Sequence, residues 1–111
     1  MEVPRLADLD GLGVDVEPSA EPGVIAVTAA ANDGAVVTLT WDEMAASVSV
    51  RRVEAGVERM SLDRERASRV SVHRDAGQDE LSVWFDGDGI AGRLVVLVGE
   101  RVRVLDTLLR T

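Results

Sequence analysis

From Val24 onward apolar and polar residues alternate with a period of two, the spacing that puts every second side chain on one face of a β-strand. Turn residues then set the pairing. Ala31 and Ala35 flank Asn32-Asp33-Gly34, a three-residue loop of the kind in which a type I turn ends on a left-handed glycine. That loop predicts Ile25 opposite Trp41, Val27 opposite Leu39 and Ala29 opposite Val37 on the inner face. Ala26 with Thr40 and Thr28 with Thr38 fall on the outer face.

The same device at Glu54-Ala55-Gly56 predicts Val50 opposite Met60 and Val48 opposite Leu62. A four-residue loop at Ala76 to Asp79 predicts Val72 opposite Val83 and Val70 opposite Phe85. The polar stretch Arg64 to Ser68 would join these hairpins, setting Leu62 against Val70 and Met60 against Val72. Gly87-Asp88 is the next turn, with Asp88-Gly89 as its rival, and the first choice puts Ile90 opposite Phe85 and Leu94 opposite Leu81.

Three short segments break the alternation. Leu6, Leu9 and Leu12 follow helical spacing after Pro4, Asp42 is placed to cap a helical turn through Met44 to Ala46, and the tail mixes both periods. There Arg101-Val102-Arg103-Val104 alternates like a strand, whereas Val102, Leu105, Leu108 and Leu109 follow helical spacing. The expected fold is mainly β, an antiparallel meander of roughly seven or eight strands closing as a barrel or sandwich. Helical turns are expected at the N-terminus, after Trp41 and at the C-terminus. The chain reads as a single domain over 1–111, with 1–23 loosely ordered, 24–98 as the sheet and 99–111 as a terminal strand and helical turn. Leu94 to Val98 is apolar on both faces and should be covered on both sides or lie where the sheet closes.

Composition narrows the function classes. With 111 residues, 46% hydrophobic and 29% charged, the chain can build a core without staples. It has no cysteine, which excludes disulfides and thiolate metal sites and fits a reducing, cytoplasmic setting. The opening MEVPRLADLDGLG has no basic n-region or apolar h-region, and no apolar run approaches the ~18 residues of a membrane helix. A formal charge of −8 argues against nucleic acid as a ligand. All 12 basic residues are arginine, which reads as a GC-rich coding bias of a bacterial source.

Candidate chemistry is sparse. His73 is the one histidine and falls among arginines, so no metal or other cofactor is expected. Ser71 and His73 lack an orienting acid and an oxyanion hole, so no catalytic residue is assigned and an enzyme is disfavoured. Asp86-Gly87-Asp88-Gly89 opens like a calcium loop but continues with Ile90 and Ala91, where further oxygen ligands should follow. The informative set is the outer face. There the expected register gathers Arg51, Arg59, Ser71, His73, Trp84 and Arg93 into a basic stripe beside an indole, the residue types most enriched at binding hot spots. Arg52, Glu58 and Arg74 would meet on the inner face at one end, where a barrel would have its cavity rim.

These features point to a non-enzymatic protein-interaction module, such as a small acidic bacterial partner, adaptor or immunity-type protein, binding a protein through its outer sheet face. The alternatives are a small-molecule-binding β-barrel with an aliphatic cavity and a structural homodimer. Neither nucleic acid nor a membrane is expected as a partner.

Overall fold

The computed structural model describes residues 1–10, 12–87 and 90–110. Among these residues lie one helical turn and nine strands: α1 (Leu6–Leu9), β1 (Asp15–Pro18), β2 (Val24–Ala30), β3 (Val36–Asp42), β4 (Ser47–Glu54), β5 (Val57–Arg64), β6 (Ala67–Asp75), β7 (Gln78–Gly87), β8 (Ile90–Val98) and β9 (Val102–Arg110). The chain is thus mainly β, as expected, and of the two expected closures, barrel or sandwich, it takes the sandwich. The strands make two antiparallel sheets, one ordered β1-β2-β3-β4-β5 and the other β6-β7-β8-β9. Their inner faces share one core, to which the first contributes Val27, Val37, Leu39, Trp41, Val48 and Val50, and the second Val70, Leu81, Val83, Leu94 and Val96.

The β2–β3 hairpin has the predicted register, with Ile25 opposite Trp41, Val27 opposite Leu39 and Ala29 opposite Val37. Asp33 Oδ1 accepts a hydrogen bond from the Ala35 N–H at 3.0 Å, the side-chain-to-backbone contact that favours aspartate in such turns. The other hairpins correct the prediction. At β4–β5 the turn is the two-residue Ala55-Gly56, with φ of 51° and 76°, the left-handed pair that matches the twist of the flanking strands. Val50 therefore faces Leu62, not Met60, and an irregularity between Arg52 and Val53 sets Met60 against Arg52.

Ala76-Gly77 repeats this geometry, with φ of 52° and 76°, so Val72 faces Leu81 and Val70 faces Val83. In both hairpins the slip is two residues. Inward side chains stay inward and only their partners change.

The predicted pairing of Leu62 with Val70 and Met60 with Val72 does not occur. Between β5 and β6 the chain leaves one sheet for the other through Glu65 and Arg66, with Arg66 at φ 63°. The Ala67 N–H then bonds the Ala46 carbonyl at 2.9 Å, which ties the corner to the turn before β4. Gly87 pairs with Ile90, so the β7–β8 register follows the Asp88-Gly89 alternative; those two residues lie outside the described ones. Trp84 consequently faces Arg93, and Phe85 faces Gly92.

The predicted terminal helical turn is strand instead, because β9 pairs with β8 along its whole length, from Val98 with Val102 to Ile90 with Arg110. After Trp41, Asp42 Oδ1 does accept from the Met44 and Ala45 N–H groups, both at 3.1 Å, but they belong to a turn, not a helix. Residues 1–23, read as loosely ordered, contain α1 and the unforeseen β1.

Two devices close the sides of the sandwich. The N-terminal segment crosses from sheet to sheet: the Glu2 N–H donates to the Ser68 carbonyl and the Glu2 carbonyl accepts from Val70 N–H, while β1 pairs with β2. Between these ends Leu9, 1% exposed, is inserted into the core. Elsewhere Arg64 at the end of β5 forms a bidentate pair with Asp106 of β9, one bond being Nη1 to Oδ1 at 2.6 Å, with its guanidinium 5.6 Å from the Phe85 ring centre.

The hydrogen bonds from Arg64 hold the Asp106 carboxyl below its ordinary range, opposed by burial and reinforced by the guanidinium's charge. A depressed folded-state pKa stabilises the fold above the unfolded carboxylate pKa of about 4, and that contribution is lost as pH falls through the lower folded value. Asp106→Asn should therefore lower stability by about 0.5–1 kcal/mol at neutral pH, a modest figure because the pair is partly solvated. Urea unfolding of both proteins at several pH values should show the difference disappear in strong acid. At the turns, alanine holds a left-handed conformation that asparagine tolerates better, so Ala55→Asn and Ala76→Asn should each raise stability by about 0.5–1 kcal/mol in the same assay.

Candidate functional site

The outer face of the four-stranded sheet is laid out by its register. One row reads Arg69, Trp84, Arg93, Thr107; the next Ser71, Ser82, Val95, Leu105; the next His73, Glu80, Leu97, Arg103. Trp84 thus has an arginine opposite it on each neighbouring strand. The guanidinium carbons of Arg69 and Arg93 lie 4.8 and 4.7 Å from its ring centre, within the range of cation–π attraction. The indole is half-buried and its backbone carbonyl accepts from Ser68 Oγ at 3.1 Å.

Glu80 organises the rest of the face. Its Oε1 accepts from Arg93 Nη2 at 3.1 Å, and its Oε2 lies 2.9 Å from His73 Nε2. Arg93 Nη2 also donates to Ser82 Oγ at 3.2 Å, and Ser82 is nearly fully covered by these neighbours despite facing outward. Val95 and Leu97, expected to be covered, are half-buried on this face, and Leu105 beside them is 48% exposed. A shallow groove of about 400 Å³ runs beside the indole, lined by Ser68, Trp84, Ala91, Gly92, Arg93 and Thr107.

Of the six predicted binding residues, Ser71, His73, Trp84 and Arg93 lie on this face. Arg51 and Arg59 do not, because the corner at Glu65-Arg66 sends β4 and β5 into the other sheet. Arg51 stands on that sheet's outer face in a row with Thr28, Thr38 and Ser61, its Nε 3.9 Å from a Glu58 oxygen, and Arg59 Nε lies 4.0 Å from Glu54 Oε2. The predicted single stripe is therefore two separate sets.

The face also holds two residues that the sequence reading missed, Arg69 and Glu80. Recognising Ala76-Gly77 as a two-residue turn would have placed both, since it sets Arg69 opposite Trp84 and Glu80 opposite His73.

The expected rim triad does not assemble. Arg52 pairs with Glu54, Glu58 faces Val53 and approaches Arg51, and Arg74 belongs to the other sheet, opposite Asp79. Among the described residues, Trp41, Val83 and Phe85 are 0%, 1% and 5% exposed and packed in the core, where a barrel would have its cavity. Among the described residues no group of three histidine, cysteine or acidic side chains could hold a metal ion, and no helix is long and apolar enough to cross a membrane.

No family model and no curated protein matches the chain. Among solved structures, a chain of a contact-dependent growth inhibition toxin–immunity protein complex from Klebsiella pneumoniae 342 is similar in fold. The two superpose with a TM-score of 0.79 at 10% identity, over 97% of this chain and 96% of that one. Such a likeness is one of architecture.

The geometry around the indole is open to a direct measurement. Trp41 is shut off from solvent, so collisional quenching reports Trp84 alone. With a cation over the ring from each side, iodide should quench the fluorescence more strongly than caesium, and the double substitution Arg69→Gln, Arg93→Gln should remove the preference.

Proposed function

We propose that this chain is a non-enzymatic protein-binding module of the immunity type, which acts by occupying a partner protein's surface with the outer face of its four-stranded sheet. The observation that carries this reading is the placing of Trp84: a half-buried indole held between Arg69 and Arg93, with Leu105, Val95 and Leu97 on the adjoining rows. Tryptophan and arginine clustered near the centre of a patch, with apolar area around them, are the usual anchors of protein interfaces. Arg93 is already positioned by Glu80 and Ser82, so it has little rotamer entropy to lose on binding.

The immunity assignment draws on the whole-length fold likeness to a chain of a toxin–immunity complex, together with the acid-rich composition of a small cysteine-free chain. A cytoplasmic setting goes with it. Core side chains fill the space between the sheets, which favours the outer-face reading over the carrier alternative.

Affinity capture from the native lysate tests the proposal. The expected result is a stoichiometric protein partner bound by the wild type and released by Trp84→Ala, with an affinity loss of about 2 kcal/mol or more. The substitution sits on the surface, so the unfolding midpoint should move little. Co-expression should relieve the toxicity of a captured toxin for the wild type and fail to do so for Trp84→Ala. A partner retained undiminished by Trp84→Ala would place the binding surface elsewhere.

A further inference from the structure

The chemistry of the face says what the partner should bring to it. Its charged positions are Arg69, Arg93 and Arg103 with Asp75, Glu80 and Asp86, three of each sign in a chain of formal charge −8. Glu80 is already engaged, by His73 and by Arg93. Arg69 and Arg103, by contrast, make no ion pair and no side-chain hydrogen bond among the described residues. Glu2 and Asp8 border the strand edge beside Arg69, and neither approaches it within ion-pair distance.

A guanidinium stacked on an aromatic ring is fixed in orientation while its N–H edge remains free to donate. Arg69 is in that state, lying 4.8 Å from the Trp84 ring centre with its donors uncommitted. A preoriented fork of this kind matches a planar carboxylate.

Resting on the reading above, we propose that this face receives an acidic segment of the partner protein, with a carboxylate seated on Arg69 beside the indole and a second one reaching Arg103. Asp and Glu side chains are the chosen source, not nucleic-acid phosphates. Three arginines on a strongly acidic body provide too few phosphate contacts to overcome the repulsion of a polyanionic backbone. The neighbouring Val95, Leu97 and Leu105 favour the apolar side chains that a protein segment supplies.

The test is a titration of the full chain with short oligo-L-glutamate, followed by Trp84 emission. Oligo-L-lysine and oligothymidylate of the same length serve as comparisons. Oligo-L-glutamate should produce a saturable, salt-sensitive change that oligo-L-lysine does not. Arg69→Gln should weaken it roughly tenfold or more, as expected for loss of a charge-assisted bidentate contact. Arg69→Lys should fail to restore it, since a lysine keeps the charge but not the stacked fork. Arg103→Gln, at an exposed edge position, should weaken binding severalfold and keeps the proposal testable if Arg69 variants do not fold.

Binding of oligo-L-lysine instead, tighter binding of oligothymidylate, or unchanged affinity in Arg69→Gln and Arg103→Gln would each overturn the proposal. Its failure is distinguishable from failure of the module reading. A captured partner that depends on Trp84 but not on Arg69 or Arg103 refutes the acidic segment alone. Arginine-dependent oligo-L-glutamate binding supports the acidic segment even where no Trp84-dependent partner is captured, a result that refutes the module.

Discussion

Two residues, Glu65 and Arg66, separate the end of β5 from the start of β6, and the architecture turns on what they do. A hairpin there would have kept β6 beside β5 in one continuous sheet, whose single apolar face would have had to roll up to be covered. Arg66 takes a left-handed backbone instead and the chain turns out of the sheet plane, with Ala67 caught by the Ala46 carbonyl. The two inner faces then oppose each other. Met60, Leu62 and Val72, expected to pair side by side, pack against the same core from opposite sheets. A sandwich made this way has open sides. The crossing of the N-terminal segment with Leu9 beneath it covers part of them, and the Arg64–Asp106 pair links β5 to β9 elsewhere.

The corner also sorts the surface. Because β4 and β5 leave with the first sheet, their outward arginines stand among Thr28, Thr38 and Ser61, while Trp84 is left with the charged residues of β6 to β9. The Trp84 face is therefore a product of topology as much as of composition. Within it the register does the fine placement. Trp84 meets two guanidiniums because Ala76-Gly77 and the β7–β8 turn each set an arginine directly opposite it.

How much of this could be read beforehand follows from the same particulars. The β2–β3 hairpin was legible because Asn32-Asp33-Gly34 carries strong turn chemistry and its register agrees with the apolar alternation. Ala55-Gly56 and Ala76-Gly77 were not, since alanine at positive φ is no turn signal and a slip of two residues leaves the inside–outside pattern unchanged. The inner and outer sets are thus largely legible and the partners are not: Trp84 and Arg93 follow from the alternation, whereas Arg69 opposite Trp84 requires the two-residue turn. The corner had no signature, because Arg64 to Ser68 reads equally well as a polar hairpin loop. In the tail, Leu105, Leu108 and Leu109 fit helical spacing, and only pairing along the full length of β8 decides for strand.

The arginines of the face that lack an ion pair, Arg69 and Arg103, and the overall negative charge act at different ranges. At physiological ionic strength a field is screened within about 8 Å, so the net charge of −8 influences approach, whereas contact pairs at the face govern how long a complex lasts. An acidic partner would be repelled on approach and held on contact. A partner with a basic body and an acidic docking segment would gain from both effects, steered in by the whole chain and retained by Arg69 and Arg103. A basic body is also what a small acid-rich inhibitor would be suited to block, so on the proposed reading the two charge signals are complementary parts of one recognition scheme.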